Sequence, residues 1–227
     1  MTKPAERELK ISVGEAQVSG LLTTPEGARA CYVVAHGAGV GMRHKFMAAV
    51  AHGLAERGIA TLRYQFPYME RGSKRPDSPK VAQAAVRAAV AKARELLLPG
   101  VPLIAGGKSY GGRMTSQAQA EAPLDGVRGL AFLGFPLHAP GQPSDARAEH
   151  LARVQIPMLF LQGTRDDFAD LEYLKPLVKR LRTRATLKLF DDADHSLHVP
   201  AKSGRTDAQV MIELLDKVAE WIERTVA

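Results

Sequence analysis

Gly107-Lys108-Ser109-Tyr110-Gly111 fits the pattern G-x-S-x-G, in which a serine rides a sharp turn from strand to helix. Chemistry explains the glycines: the backbone at such a turn is strained, and bulky neighbours would keep strand and helix apart. A serine hydroxyl is a weak nucleophile, so acyl chemistry also needs a base within hydrogen-bond reach and an acid to orient that base. Both follow in the expected chain order. Asp166 comes after the apolar strand MLFLQ, and His195 lies in the loop after LKLF. His195 would take the Ser109 proton and later return it to the leaving group, while Asp166 fixes the imidazole tautomer.

Alternatives stand beside each assignment. Asp167 adjoins Asp166, which is favoured because it comes first after the strand. His198 is the rival of His195; Asp191, Asp192 and Asp194 are read as solvating the loop. The segment Gly107-Lys108-Ser109 also suggests a phosphate loop, but that motif needs a glycine where the chain has Pro102. An oxyanion needs donors, and the expected pair is the backbone N–H of Tyr110 and that of Ala38 in the loop HGAGVG. His36 in the same loop is expected to pin the turn rather than carry protons.

These residues are useful only if an α/β sheet gathers them. Short apolar runs alternate with helical patterns, the signature of a mostly parallel sheet with helices on both faces. ELKISV and QVSGLLTTP predict a hairpin turning at Gly14. ACYVVA, apolar on both faces, predicts a central strand with Cys31 as an inert core residue. A helix over Phe46–Arg57 and a strand over Ile59–Phe66 follow. The next helix starts at Ser78-Pro79, with Ser78 as capping hydroxyl, Val81 on its apolar stripe and Pro99 with Gly100 as its stop. Ser109 should end a strand from Leu103 and open a helix to about Ala122. Strands are predicted over Gly129–Phe135, Pro157–Gln162 and Thr186–Phe190, with a helix broken at Pro176 before the last. A capping box, Thr206 and Gln209, opens a final helix in which Trp221 packs into the core.

The chain has 227 residues, 45% hydrophobic and 24% charged, enough for one domain with a substantial core over 1–227. One cysteine excludes an internal disulfide, and no ligand spacing or dinucleotide fingerprint calls for a metal or organic cofactor. No apolar run is long enough to span a membrane, so a cytoplasmic location is expected. Thirty-one basic against 24 acidic residues give a net charge of +7, but the cations are dispersed without interleaved aromatics, which argues against nucleic acid.

With HGAG, GKSYGG, QGTRDD and DADHS in place, the chain resembles the α/β-hydrolase superfamily, in particular the small lidless kind like dienelactone hydrolase. HGAGVGMRHKFM and FPYMERGSKRPD are similar to a little-characterised branch found as a domain of chromatin-complex and testis-expressed proteins. The resemblance runs from about Leu9 to Trp221. It implies Ser109 as nucleophile, Asp166 as acid, His195 as base, and Ala38 with Tyr110 as oxyanion donors. Dienelactone hydrolase carries cysteine at the nucleophile position, so Ser109 departs from its pattern and the resemblance alone does not assign the dienelactone substrate. The expected substrates are small carboxylic esters, lactones or thioesters in a shallow site lined by Met42, Phe66, Tyr68, Phe135 and Leu137. Arg71, with Lys74 and Arg75, would lie on the same edge. Acyl transfer by the same residues and a non-catalytic binding module remain the other two readings.

Overall fold

The computed structural model describes residues 4–97 and 100–227. Its centre is an eight-stranded sheet in the order β1-β2-β4-β3-β5-β6-β7-β8. β1 (Ala5–Val13) and β2 (Ala16–Thr24) form the antiparallel hairpin expected around Gly14, and β2 pairs antiparallel with β4 (Ile59–Tyr64). From β4 onward all neighbours are parallel: β3 (Ala30–Ala35), β5 (Leu103–Lys108), β6 (Val127–Leu133), β7 (Met158–Gly163) and β8 (Ala185–Phe190).

The uniformly apolar strands are the ones with helices on both sides. In β3, Cys31, Val33 and Ala35 pack into one layer, with α3 (Pro79–Leu96), α4 (Tyr110–Glu121) and α5 (Leu171–Leu181). Ala30, Tyr32 and Val34 face the other, with α1 (Lys45–Ala55) and α6 (Asp207–Val226). Cys31 is fully buried, and burial pushes its thiol up to about 12. Trp221 packs in the second layer, and the Thr206–Gln209 capping box is present.

Several boundaries differ from expectation for physical reasons. Val81 is 39% exposed, and Ala82 takes the buried place with Ala85, Val86, Ala89, Val90 and Ala93, because the stripe is one residue out of phase with Val81. Ser78 is the N-cap with Pro79 at the first turn, but its side chain makes no capping bond. The predicted stop at Pro99 lies outside the described residues. α5 runs unbroken through Pro176, the sixth of its eleven residues, at the loss of one intrahelical amide donor, because Leu174, Leu177 and Leu181 hold the helix to the core on both sides of it. Phe66 does not extend β4. It leads into a short helix, α2 (Pro67–Glu70), favoured by Pro67 at its first position. A 3₁₀ helix over Ala146–Arg153, unforeseen in the sequence, occupies the connection between β6 and β7.

The chain leaves β3 for β4 on one side and later returns as β5 on the other. At such a switch the loops after β3 and β5 diverge at the carboxyl ends of the strands, the place where an open α/β sheet forms its crevice. No helix among the described residues is long and apolar enough to cross a membrane.

Candidate functional site

Ser109 stands at the mouth of that crevice, between β5 and α4. Its φ of 50° and ψ of −118° put a non-glycine residue in a rarely populated region, a strain held by the strand on one side and the helix on the other. Gly111 permits the turn: a Cβ there would lie 2.5 Å from the His36 carbonyl oxygen and 2.6 Å from that of Ala35. The loop after β3 is thereby pressed against the start of α4.

The residues expected from the sequence meet here. His195 Nε2 is 2.8 Å from Ser109 Oγ, and His195 Nδ1 is 2.7 Å from Asp166 Oδ2. A carboxylate only accepts, so Nδ1 carries the proton and Nε2 offers its lone pair to the serine hydroxyl. The Asp166 side chain is fully buried, whereas the imidazole is 20% exposed. Burying a carboxylate requires donors, and they are present: Oδ1 accepts from the Phe168 amide at 2.8 Å, and Oδ2 also accepts from Gln162 Nε2. Gln162 is itself fixed, its Oε1 accepting from the Phe135 amide at 2.8 Å. The Phe168 ring lies 4.4 Å from the imidazole and walls one side of it.

The rivals sit elsewhere. Asp167 is exposed beside this network. His198 turns to Asp207 at the start of α6, 2.9 Å away, and that carboxylate raises its imidazole above the ordinary value. His36 pins its loop as expected: Nδ1 donates to the Gly37 carbonyl at 2.8 Å, and Nε2 accepts from the Phe66 amide at 3.1 Å. Burial pulls its imidazole down to about 4, so it stays neutral.

Tyr110 opens α4, so its amide has no carbonyl four residues back to bond. Ala38 lies in the loop that His36 pins and Gly111 admits. Among the described residues neither amide donates to another backbone carbonyl. The Tyr68 hydroxyl accepts from the Gly39 amide at 3.3 Å and steadies the same loop.

The expected substrate wall needs correction. Phe66, Tyr68, Phe135 and Leu137 have no exposed surface, and Met42 is only 3% exposed. They form a layer beneath the site: Phe66 packs edge-on to His36 and Tyr110, and Phe135 against Phe132 and Phe160. Apolar residues just beyond strand ends read alike whether they face a cleft or fill the layer below it. Arg71 is exposed but ion-paired, 2.5 Å from Asp77. Tyr110 bonds the same turn, its hydroxyl donating to the Asp77 carbonyl at 3.5 Å, so the turn that carries Asp77 reaches the residue after Ser109. Gln162 and Phe168 carry no motif, although a glutamine closing the apolar run MLFLQ is itself a sign of a buried polar group needing partners. A separate depression of about 520 Å³, bordered by Arg29, Arg57, Asp216 and Glu223, lies at the opposite edge of the sheet. Its charges are paired with each other, Arg57 with Asp216 and Arg29 with Glu223.

The architecture is shared with known proteins. Dienelactone hydrolase from Anabaena variabilis superposes with a TM-score of 0.79 at 22% identity, with 100% of each chain covered. A serine hydrolase without a lid from Xanthomonas campestris gives 0.75 at 22% identity, covering 97% of this chain and 96% of that one. An esterase of Pyrococcus furiosus gives 0.77 at 16% identity, covering 99% and 94%. These likenesses establish the fold. The model of a family described as "alpha/beta hydrolase domain" matches residues 28–223, most of the chain including Ser109, Asp166 and His195, and the protein belongs to that family.

Proposed function

We propose that the protein is a serine hydrolase that cleaves small carboxylic esters, lactones or thioesters through an acyl-enzyme. The observation carrying this reading is the continuous hydrogen-bonded line from Ser109 Oγ through His195 to Asp166, with bonds of 2.8 and 2.7 Å. In the reaction Ser109 Oγ attacks the carbonyl carbon as its proton passes to His195 Nε2. The negative charge moves onto the carbonyl oxygen, where the amides of Tyr110 and Ala38 receive it. The tetrahedral intermediate collapses by breaking the bond to the leaving group, which takes the proton from the imidazolium. Water then repeats the sequence on the acyl-serine and releases the acid.

Asp166 has two tasks in this scheme. It keeps the proton on Nδ1 before attack and balances the imidazolium that forms during it. Its own bonds to Gln162 and the Phe168 amide prevent it from turning away. Small substrates are favoured because the connection between β6 and β7 carries only the 3₁₀ helix Ala146–Arg153, too little to cover a long acyl chain.

The test is labelling by a fluorophosphonate, which reports an activated serine without knowledge of the substrate. Wild type should label, while Ser109→Ala and His195→Ala, shown to be folded by circular dichroism, should not. Folded wild type that does not label would replace this reading with a binding module. Added alcohol or amine that diverts the acyl group from water would identify a transferase instead.

A further inference from the structure

Lys108 holds the variable position immediately before Ser109, and the chemistry above gives it no task. As the last residue of β5 it is half-buried, and its side chain runs across the site edge instead of out to solvent. Nζ donates to the backbone carbonyl of His195. It lies 5.9 Å from the centre of the Phe46 ring on α1. It also abuts Gly134 after β6, where a Cβ would come within 2.8 Å of Nζ. Gly37, in the loop after β3, passes the stem: a Cβ there would be 3.6 Å from Cγ. One ammonium therefore joins the segments that converge on the nucleophile.

The His195 loop is anchored on either side, the Ala193 carbonyl accepting from the Arg165 amide and His198 pairing with Asp207, but between these points its backbone bonds are its own. Asp194 accepts from the amides of Ser196 and His198, and Leu197 donates to the Asp194 carbonyl, all within the loop. Leu197 has a φ of 64°, a conformation costly for a leucine and dependent on its surroundings. Withdrawing a lysine from water is costly too, and an uncharged side chain would fill the same space without that cost. What a methionine or leucine could not do is donate to the His195 carbonyl.

We propose that Lys108 is a positioning residue for the hydrolase reaction, its ammonium clamping the main chain at His195 so that the imidazole is presented to Ser109 Oγ. Asp166 fixes the ring at Nδ1 and Lys108 fixes the backbone behind it, two points that leave the imidazole little freedom. The inference rests on the serine-hydrolase reading for its kinetic consequence, but the mechanical tie is independent of any substrate.

The experiment compares wild type with Lys108→Met, which keeps length and loses the donor, and Lys108→Arg, which keeps a charged donor. Removing the clamp should lower kcat on a short p-nitrophenyl ester about 10- to 100-fold, the scale expected from small misplacement of a catalytic group, with KM within about 3-fold. K108R should recover most of that loss. Amide hydrogen exchange at Ser196, Leu197 and His198 should accelerate in K108M while β5, β6 and β7 stay protected. A pH arm follows from burial, which pulls the Lys108 ammonium down to about 8 against the opposing charges of Asp166 and Asp194. His195 is the remaining titratable neighbour at the bond; Phe46, Gly134 and Gly37 contribute no charge. Wild-type kcat should decline as pH rises past about 8, and K108M should lack that decline. K108M with wild-type kcat and unchanged loop exchange would overturn the proposal, as would K108M and K108R losing activity alike with no change in exchange. Wild type inactive on every ester would defeat the hydrolase reading alone; the exchange comparison would still decide the clamp.

Discussion

Asp166→Asn isolates what the buried carboxylate contributes, because it keeps shape and removes charge. The carboxylate accepts from three donors: the Phe168 amide, Gln162 Nε2 and His195 Nδ1. An amide has one accepting oxygen, so one of the two positions must now present an NH2 group to a donor. If the NH2 faces Gln162 and His195, Gln162 cannot turn over, since its oxygen holds the Phe135 amide. The imidazole then moves its proton to Nε2, where it can no longer receive the Ser109 proton. If the NH2 faces Phe168 instead, the tautomer survives but a buried amide is opposed, and the Phe168 ring 4.4 Å from the imidazole shifts with it. In both orientations the charge that balances the imidazolium is gone. We expect kcat to fall by about 10³- to 10⁴-fold, about 4 to 5.5 kcal/mol of barrier, with KM little changed. The assay is steady-state hydrolysis of a short-chain ester, with fluorophosphonate labelling rates as a check and Asp167→Asn as control. Because Asp167 is exposed, its variant should stay within about 2-fold of wild type. A D166N enzyme within 10-fold of wild type, or a D167N enzyme as damaged as D166N, would refute the assignment.

Tyr68→Phe removes the hydroxyl that accepts from Gly39; a net hydrogen bond of about 0.5–1.5 kcal/mol predicts a fall in kcat of roughly 2- to 10-fold, readable in the same assay. Gly111→Ala should prevent a correctly formed turn, because its Cβ meets the backbone of Ala35 and His36; loss of labelling with a clear drop in Tm is expected. Stability should also decline in mild acid. His36 and His150 are both pulled down to about 4 by burial, so between pH 6.5 and 4 the unfolded chain binds protons that the native one refuses, and stability falls as pH falls through that window. Each contributes about 3 kcal/mol by pH 4, measurable as urea midpoints across the range, and His150→Gln should remove about half of the decline.

The parts of the site that were legible in the sequence are those in which side-chain chemistry and local backbone demands coincide. Ser109 is flanked by glycines because the turn needs them, and Asp166 and His195 each follow an apolar strand whose end fixes their edge of the sheet. Layer membership was harder to read. Phe66, Tyr68 and Phe135 are apolar residues beyond strand ends, and periodicity of two says nothing about whether the next turn covers them. Lys108 was hidden for a different reason. A lysine between Gly107 and Ser109 reads as a surface charge until the loops after β3, β6 and β8 are folded over it.

Among the seven histidines, partners and not residue type distinguish the candidate base. His44 caps α1, accepting from the Phe46 amide, and His52 lies 3.7 Å from Glu6 at the hairpin. His138 joins the Ala139 carbonyl to the Asp170 amide, as His36 joins Gly37 to Phe66, so both nitrogens of each ring are spent on backbone. His198 answers to Asp207. His150 is the instructive case, because its Nε2 is 2.7 Å from Ser116 Oγ and so imitates the Ser109–His195 bond. The Ser116 hydroxyl, however, also lies 2.9 Å from the Arg113 carbonyl, which competes for its proton, and no carboxylate orients the His150 ring among the described residues. Ser116 is also buried within α4, away from any turn that would lift it toward a substrate. Among the described residues only His195 has a hydroxyl on one nitrogen and a carboxylate on the other, and that hydroxyl belongs to a residue held in a strained turn at the strand edge.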